Sequence, residues 1–391
     1  MMKEEKQIIL HQGVFKPVAT VGEATFLLTG MTIGAGVLGI PYVVAQVGLP
    51  IGLTYIFILG LVILCLNLIV GEVAVRTGEN LQLAGLAGRY LGRGAKSLMS
   101  LATILGGYGL LLAYVIGEGQ TLAAIFGGNP VWWSVFFWSV GSLLVWRGLQ
   151  TIKTVEKIFS LVVMMIVAGL SFYLLPHFNS ASFQVYNWGN ILLPFGVILF
   201  ALHASPAVAE AHALLPGSQK HFRRAVVIGT MLPTLLYMLF AVAVVGAQGL
   251  VTTPIATLGL AKSFGPAIGL IGNIFACLAM GTGFFGFGVA LKQTFVWDYK
   301  LGTVLSEFLV VIIPLCLFLL GLRNFIAILD LVGGLFIGIE AILMSLVFLR
   351  ARKRGDIGAE RYSLKHVWLI LVPVIIVFSL AMILTVVKIF T

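Results

Sequence analysis

The chain has 391 residues, 60% of them hydrophobic and only 10% charged, with a formal net charge of +10. Soluble domains carry about 25% charged residues, so this composition excludes a water-soluble globular protein and indicates a polytopic membrane protein with the bilayer as solvent. The basic excess could address nucleic acid or record membrane topology, and its distribution along the chain decides between them.

Residues 1–17 hold Lys3, Glu4, Glu5, Lys6 and Lys16 and lack the layout of a cleaved signal peptide, so they read as a short cytosolic tail. The first apolar segment, 19–47, contains Thr29-Gly-Met-Thr-Ile-Gly-Ala-Gly-Val-Leu-Gly-Ile-Pro-Tyr42. Four glycines and a proline there predict a helix broken at mid-depth. A spanning helix normally satisfies its own backbone, because hydrocarbon offers no other partner. A break is tolerated where the freed groups face protein, a water-filled cavity or a ligand, and such breaks point to transporter binding sites. Gly34 and Gly36 also suit plain close packing of helices.

A second span over 51–75 ends in Glu72 and Arg76, four apart and suited to an interfacial ion pair. Leu83, Leu86, Ala87 and Tyr90 then recur at helical spacing within 78–92, which predicts a short helix on the inner membrane face. Spans follow at 97–126, 131–147 and 154–175, closing a first set of five.

The sixth span, 190–213, carries the second interruption, Leu199-Phe-Ala-Leu-His-Ala-Ser-Pro-Ala-Val-Ala-Glu210. Pro206 cannot donate to the helix ladder and disfavours helical geometry at Ser205, giving either a kink or a full break. Spans at 224–247, 266–290, 301–321, 323–349 and 367–389 complete eleven. The segment 250–265 suits either a folded external loop over a vestibule or a plain connector. Cys65, Cys277 and Cys316 all lie in apolar runs and read as ordinary buried thiols.

Of the 24 Lys and Arg residues, all but Lys262, Arg323 and Lys388 fall on one side of this eleven-span layout. The positive-inside rule therefore places the N-terminus in the cytosol and the C-terminus outside, and the net charge is topological rather than a nucleic-acid signal. Membrane lipid is the only macroscopic partner implied, and oligomeric state is not legible. The expected layout is a tail over 1–17, a first five-helix repeat over 18–175, an inverted repeat over 187–350 and a last helix over 366–391. Since five is odd, spans one and six run in opposite directions, and their breaks occupy corresponding positions.

The run Gly30–Tyr42 resembles the first helix of the amino acid/auxin permease group and is similar above all to the hydroxy and aromatic amino acid permeases. The likeness extends to Gly71–Arg76, Ala113–Gly117, Phe200–Pro206 and Ala279–Gly286, in order along nearly the whole chain. The resemblance implies an all-α, LeuT-type five-plus-five fold of the APC superfamily with an eleventh helix. It also implies secondary transport of a neutral, possibly aromatic, L-amino acid across the cytoplasmic (inner) membrane.

An amino acid zwitterion presents a carboxylate and an ammonium together. Backbone N–H groups of Gly34, Ala35 and Gly36, opening the outer half of helix one, suit the carboxylate. Free carbonyls of Phe200, Ala201 and Leu202 suit the ammonium, with Thr32 and His203 beside the two breaks. In the family the side-chain pocket draws on spans three, six, eight and ten, which nominates Tyr114 and Phe284 here.

The ionisable residues at depth are Glu118, His203, Asp330 and Glu340, each able to relay a proton, gate the site or pair with a buried polar group. Asp330 and Glu340 are ten positions apart on span ten and so lie on different faces. In sodium-coupled members of the fold an ion bridges helix-one carbonyls and helix-eight hydroxyls. Met31 and Thr282 match that pattern, but Gly283 stands where relatives carry a second hydroxyl. The expected coupling ion is a proton, with sodium at Thr282 as the alternative. No cofactor or metal cluster is expected, since the six histidines are scattered and no phosphate-binding loop is present. A channel or a membrane-embedded enzyme lacks a filter repeat or a catalytic cluster to support it.

Overall fold

The computed structural model describes residues 20–77, 79, 81–147, 152–180, 186–215, 219–297, 299–356 and 362–390. The expected tail over 1–17 lies outside them. The chain is all-helical in its organisation. Among the described residues, seven helices are long and apolar enough to cross a membrane, and a bent pair makes an eighth. Three shorter apolar helices accompany them: Pro130–Trp146, Leu161–His177 and Thr303–Leu319.

The first segment is that bent pair. Helix α1 (Val21–Thr32) starts with a capping box, in which Thr20 accepts from the Glu23 amide and the Glu23 carboxylate accepts from the Thr20 amide. It stops at Ile33, whose backbone is extended, and α2 (Ala35–Val47) resumes after Gly34 at an angle of 57°. Helices α3 (Leu49–Arg76), α4 (Leu83–Leu91) and α5 (Arg93–Phe126) follow. The four apolar positions expected on α4 are all buried, and α4 packs on α5. Then come α6 (Pro130–Arg147) and α7 (Ile152–Leu174).

The second break has the same form. Helix α8 (Pro194–Leu202) ends at His203, which is extended, and α9 (Ser205–Leu214) begins one residue after Ala204. Pro206 sits in the first turn of α9, where a missing N–H costs nothing, so the proline starts a helix instead of kinking one. Helix α2 packs on α8 and α1 on α9. That cross-pairing of first and second halves is what two antiparallel broken helices produce.

The remaining helices are α10 (Gln219–Gln248), α11 (Ala256–Phe264), α12 (Pro266–Trp297), α13 (Thr303–Leu319), α14 (Phe325–Leu331), α15 (Ile337–Arg354) and α16 (Val367–Phe390). The segment 250–265 is folded: α11 packs on α2 and α12. Helices α14 and α15 are continuous through a π-helical turn, Val332–Phe336, a third irregularity that the sequence reading missed. Here Gly333 lets α14–α15 approach α8 so closely that a Cβ would overlap the Gly196 carbonyl. Cys65 and Cys277 are partly buried, while Cys316 is exposed on the apolar surface, contrary to the expectation of three buried thiols.

Polar contacts pin the bundle where hydrocarbon would punish an unpaired group. Ser205 donates to Asn67 over 3.0 Å, and Asn67 donates to Thr230 over 3.0 Å, tying α9, α3 and α10 together. Glu72 is fully buried, 2.8 Å from Arg76, and also accepts from the Leu364 amide at 2.7 Å. It is therefore an anchor for the segment before α16 as well as the expected ion pair. Lys292 on α12 pairs with Glu307 on α13.

Candidate functional site

The two helix breaks face a common cavity. Its wall includes Thr32, Gly34, Ala35 and Gly36 from the first break, Phe200, Ala201 and His203 from the second, and Tyr114 from α5. Gly34 has no side chain to cap α2, so the opening turn of that helix presents uncapped N–H groups at the cavity. At the same cavity α8 ends. The Phe200 carbonyl is not free as expected, because it accepts from the His203 amide at 3.3 Å; its second lone pair remains. Uncapped donors and helix-end acceptors lining one cavity can hold a carboxylate and an ammonium together.

Two tyrosines dress the first break. Tyr237 on α10 donates to the Thr32 carbonyl at 2.9 Å and so satisfies the end of α1. Tyr114 places its hydroxyl 2.8 Å from where a Gly34 Cβ would be, and on the other side a Gly283 Cβ would overlap it. Thr32 itself donates to Leu28 at 2.7 Å and is not a free donor to a ligand. Tyr237 was not legible as a site residue, since a lone tyrosine in a long apolar helix carries no local signal.

Several expected residues lie elsewhere. Leu202 is buried but does not line the cavity. Phe284 faces α6, where its ring is 5.2 Å from that of Phe137 and fills the space over Gly141. Adjacent helical residues differ by about 100° in direction, so once Gly283 faces Tyr114, Phe284 must face away. The residue one turn on, Phe287, lines the cavity instead, together with Phe336 of the π-helical turn. The Gly36 Cβ position overlaps the Ala201 backbone, so this glycine serves the α2–α8 crossing as well as the cavity wall.

The ionisable candidates separate clearly. Asp330 is 2.7 Å from Lys388 of α16 and lies over Gly196, away from the cavity. Glu118 is buried against Cys277 of α12 and does not line the cavity either. His203 does, and its Nε2 is 3.1 Å from Oε2 of Glu340 on α15, whose other oxygen accepts from Thr103 at 2.9 Å. Thr103 and Glu340 both line the cavity: Glu340 was one of the ionisable candidates at depth, whereas Thr103 was not singled out. Of the sodium-type positions, Met31 lines the cavity, whereas the Thr282 hydroxyl donates back to Leu278 of its own helix at 2.7 Å. Among the described residues no cluster of three or more His, Cys, Asp or Glu side chains could hold a metal ion.

One side of the cavity is open. A second hollow shares Met31, Thr103, Gly107, Pro206 and Phe287 with it and continues past Gln82, Leu83, Ala84 and Glu210, at the end of the bundle that carries Arg89 and Arg93. On the other side α2, α8 and α14 close together: Gly39 lies against Leu329 and Ile326, and Lys388 reaches both Asp330 and the Leu192 carbonyl.

The profile of the tryptophan/tyrosine permease family matches residues 19–388. The chain is 26% identical over 359 residues to glutamine transporter 2 of Aliivibrio fischeri, covering 85% of this chain and 90% of that one. It is 24% identical over 372 residues to tyrosine-specific transport system 1 of Haemophilus influenzae, covering 86% and 90%. Among solved structures, MhsT in complex with L-phenylalanine superposes with a TM-score of 0.66 at 16% identity, covering 94% of this chain and 100% of that one.

Proposed function

The chain belongs to the tryptophan/tyrosine permease family, an amino acid secondary transporter of LeuT-like fold in a membrane and not an enzyme, and on that footing we propose that it imports a neutral L-amino acid together with protons. The observation that carries the reading is the facing of the two breaks. The α2 amides at Gly34–Gly36 and the end of α8 at Phe200 and Ala201 line one cavity, which supplies partners for both charges of a zwitterion. No lysine or arginine is among the described cavity residues, and Phe200, Phe287 and Phe336 are, so an uncharged side chain with aromatic bulk suits it. The names of the relatives fit that range, one being a glutamine and one a tyrosine transporter.

On this reading the basic end of the bundle is cytoplasmic, the eleven segments all cross, and the membrane is the inner one. The open hollow then leads to the cytosol. One feature favours protons over sodium: a side chain on Gly283 of α12 would overlap Tyr114, so a second hydroxyl beside Thr282 has no room.

The test has two parts. A ligand-stabilisation screen of purified protein against the twenty amino acids identifies the substrate through its shift of Tm. Uptake into proteoliposomes at clamped voltage then compares an inward pH gradient with an inward sodium gradient. Uptake that follows the pH gradient without sodium supports the proposal. Uptake that requires sodium and ignores pH contradicts it, and loss of that uptake in Thr282→Ala would place the ion at Thr282.

A further inference from the structure

Resting on the transport reading above, we propose that the His203–Glu340 pair is the site that carries the coupling proton. Three observations converge on it. The pair lines the cavity, so a proton can reach it through the same hollow as substrate. Its facing atoms, His203 Nε2 and Glu340 Oε2, are buried and 3.1 Å apart, yet neither makes an aligned hydrogen bond, which leaves capacity for a proton or a rearranged contact. His203 also ends α8: its amide donates to the Phe200 carbonyl, one of the helix-end acceptors offered to the ammonium. A change in the His203 side chain is thereby one residue-length from the substrate's own ligands.

Among the described residues of the cavity wall, Glu340 is the one carboxylate and His203 the one imidazole. From α5 comes Thr103, a neutral donor to Glu340. From α9 the vestibule receives Glu210, which accepts from Gln82 at 3.2 Å. On α15 itself Arg350 reaches the Tyr90 carbonyl and Arg352 reaches Glu72 and the Leu364 carbonyl, about three turns beyond Glu340 toward the basic end. From α16 Lys388 is engaged with Asp330 on the closed side. Among the described residues no lysine or arginine lines either the cavity or the hollow.

With His203 neutral and Glu340 ionised the pair carries one negative charge; one proton from water brings it to zero. Loading a zwitterion expels water from the cavity and encloses whatever charge remains, and enclosing an uncompensated carboxylate is costly. Substrate and proton therefore favour each other, reciprocally, which is the requirement for symport. On the cytoplasmic side substrate leaves, water returns to Glu340, and the proton follows.

Wild type and Glu340→Gln are compared in proteoliposomes with labelled L-tyrosine and L-glutamine. The variant is expected to lose accumulation driven by an inward pH gradient by a far larger factor than it loses exchange of external for internal substrate. Accumulation by Glu340→Gln equal to wild type overturns the proposal. Failure of wild type to exchange either substrate counts instead against the transport reading itself. A measurement on wild type alone guards against a folding defect in the variant. Substrate added to weakly buffered, solubilised protein should take up roughly one proton per molecule bound, and its affinity should fall about ten-fold between low and high pH. Binding with no proton uptake also overturns the proposal. A merely structural role for Glu340 would lower exchange and accumulation together.

Discussion

The hydroxyl of Tyr114 occupies the space that a side chain on Gly283 would need, although the two residues come from α5 and α12. The absence of a second hydroxyl beside Thr282 thus has a steric cause: a serine at 283 would meet the Tyr114 ring before it could face an ion. Gly283→Ser is expected to weaken substrate binding by about ten-fold or more, since overpacking of this kind costs about 1–3 kcal/mol. It should not create sodium-stimulated uptake. Sodium-dependent transport in that variant would show that the site can be completed and that Tyr114 yields.

The two glycines of the first break should separate by measurement. A Cβ on Gly36 meets the Ala201 backbone, whereas one on Gly34 meets only the tip of Tyr114 at 2.8 Å. Gly36→Ala is therefore expected to lower Tm and the yield of folded protein, because two backbones must part. Gly34→Ala is expected to keep Tm within a few degrees and lose substrate binding. Equal loss of stability in both variants would mean that both are packing residues.

Tyr237→Phe removes the donor to the Thr32 carbonyl and leaves that oxygen unpaired at the end of α1. The expected cost is about 1–2 kcal/mol, seen as a lower Tm, with a further loss of uptake because the break is no longer held. Unchanged Tm and uptake would show that water replaces the phenol there.

Lys388 and Asp330 hold α16 to α14 on the closed side. Lys388→Met leaves the carboxylate of Asp330 without its cation and should destabilise the protein by about 1–3 kcal/mol, less than for a fully buried pair because Lys388 is about one-third exposed. The double variant with Asp330→Asn should recover most of the loss. Additive effects in thermal melts of the four proteins would rule out the pairing.

Both helix breaks were legible because glycine and proline inside an apolar run have few physical meanings, and Thr29–Tyr42 and Leu199–Glu210 each stood out from their surroundings. Seven of the residues expected at the substrate site line the cavity for that reason, being adjacent in sequence to a break, and Tyr114 of α5 joins them. Phe284 was misplaced because one helical position changes direction by about 100°, and sequence alone did not say which face of α12 looks inward. The Gly333-Gly334 pair offered a signal for the π-helical turn that went unread. Glu340 stood out as an ionisable residue at depth, but Thr103 had no such signal, and the two are 237 positions apart and meet only through the fold.

Counterflow most directly tests the claim that the two breaks form the site of an amino acid carrier. Proteoliposomes loaded with unlabelled L-tyrosine or L-glutamine are diluted into a trace of the labelled amino acid, with no ion gradient imposed. A transient internal excess of label is expected in wild type and none in Gly34→Ala. Entry of label that never exceeds equilibration, whatever the internal pool, would mean passive passage through a pore and would contradict it.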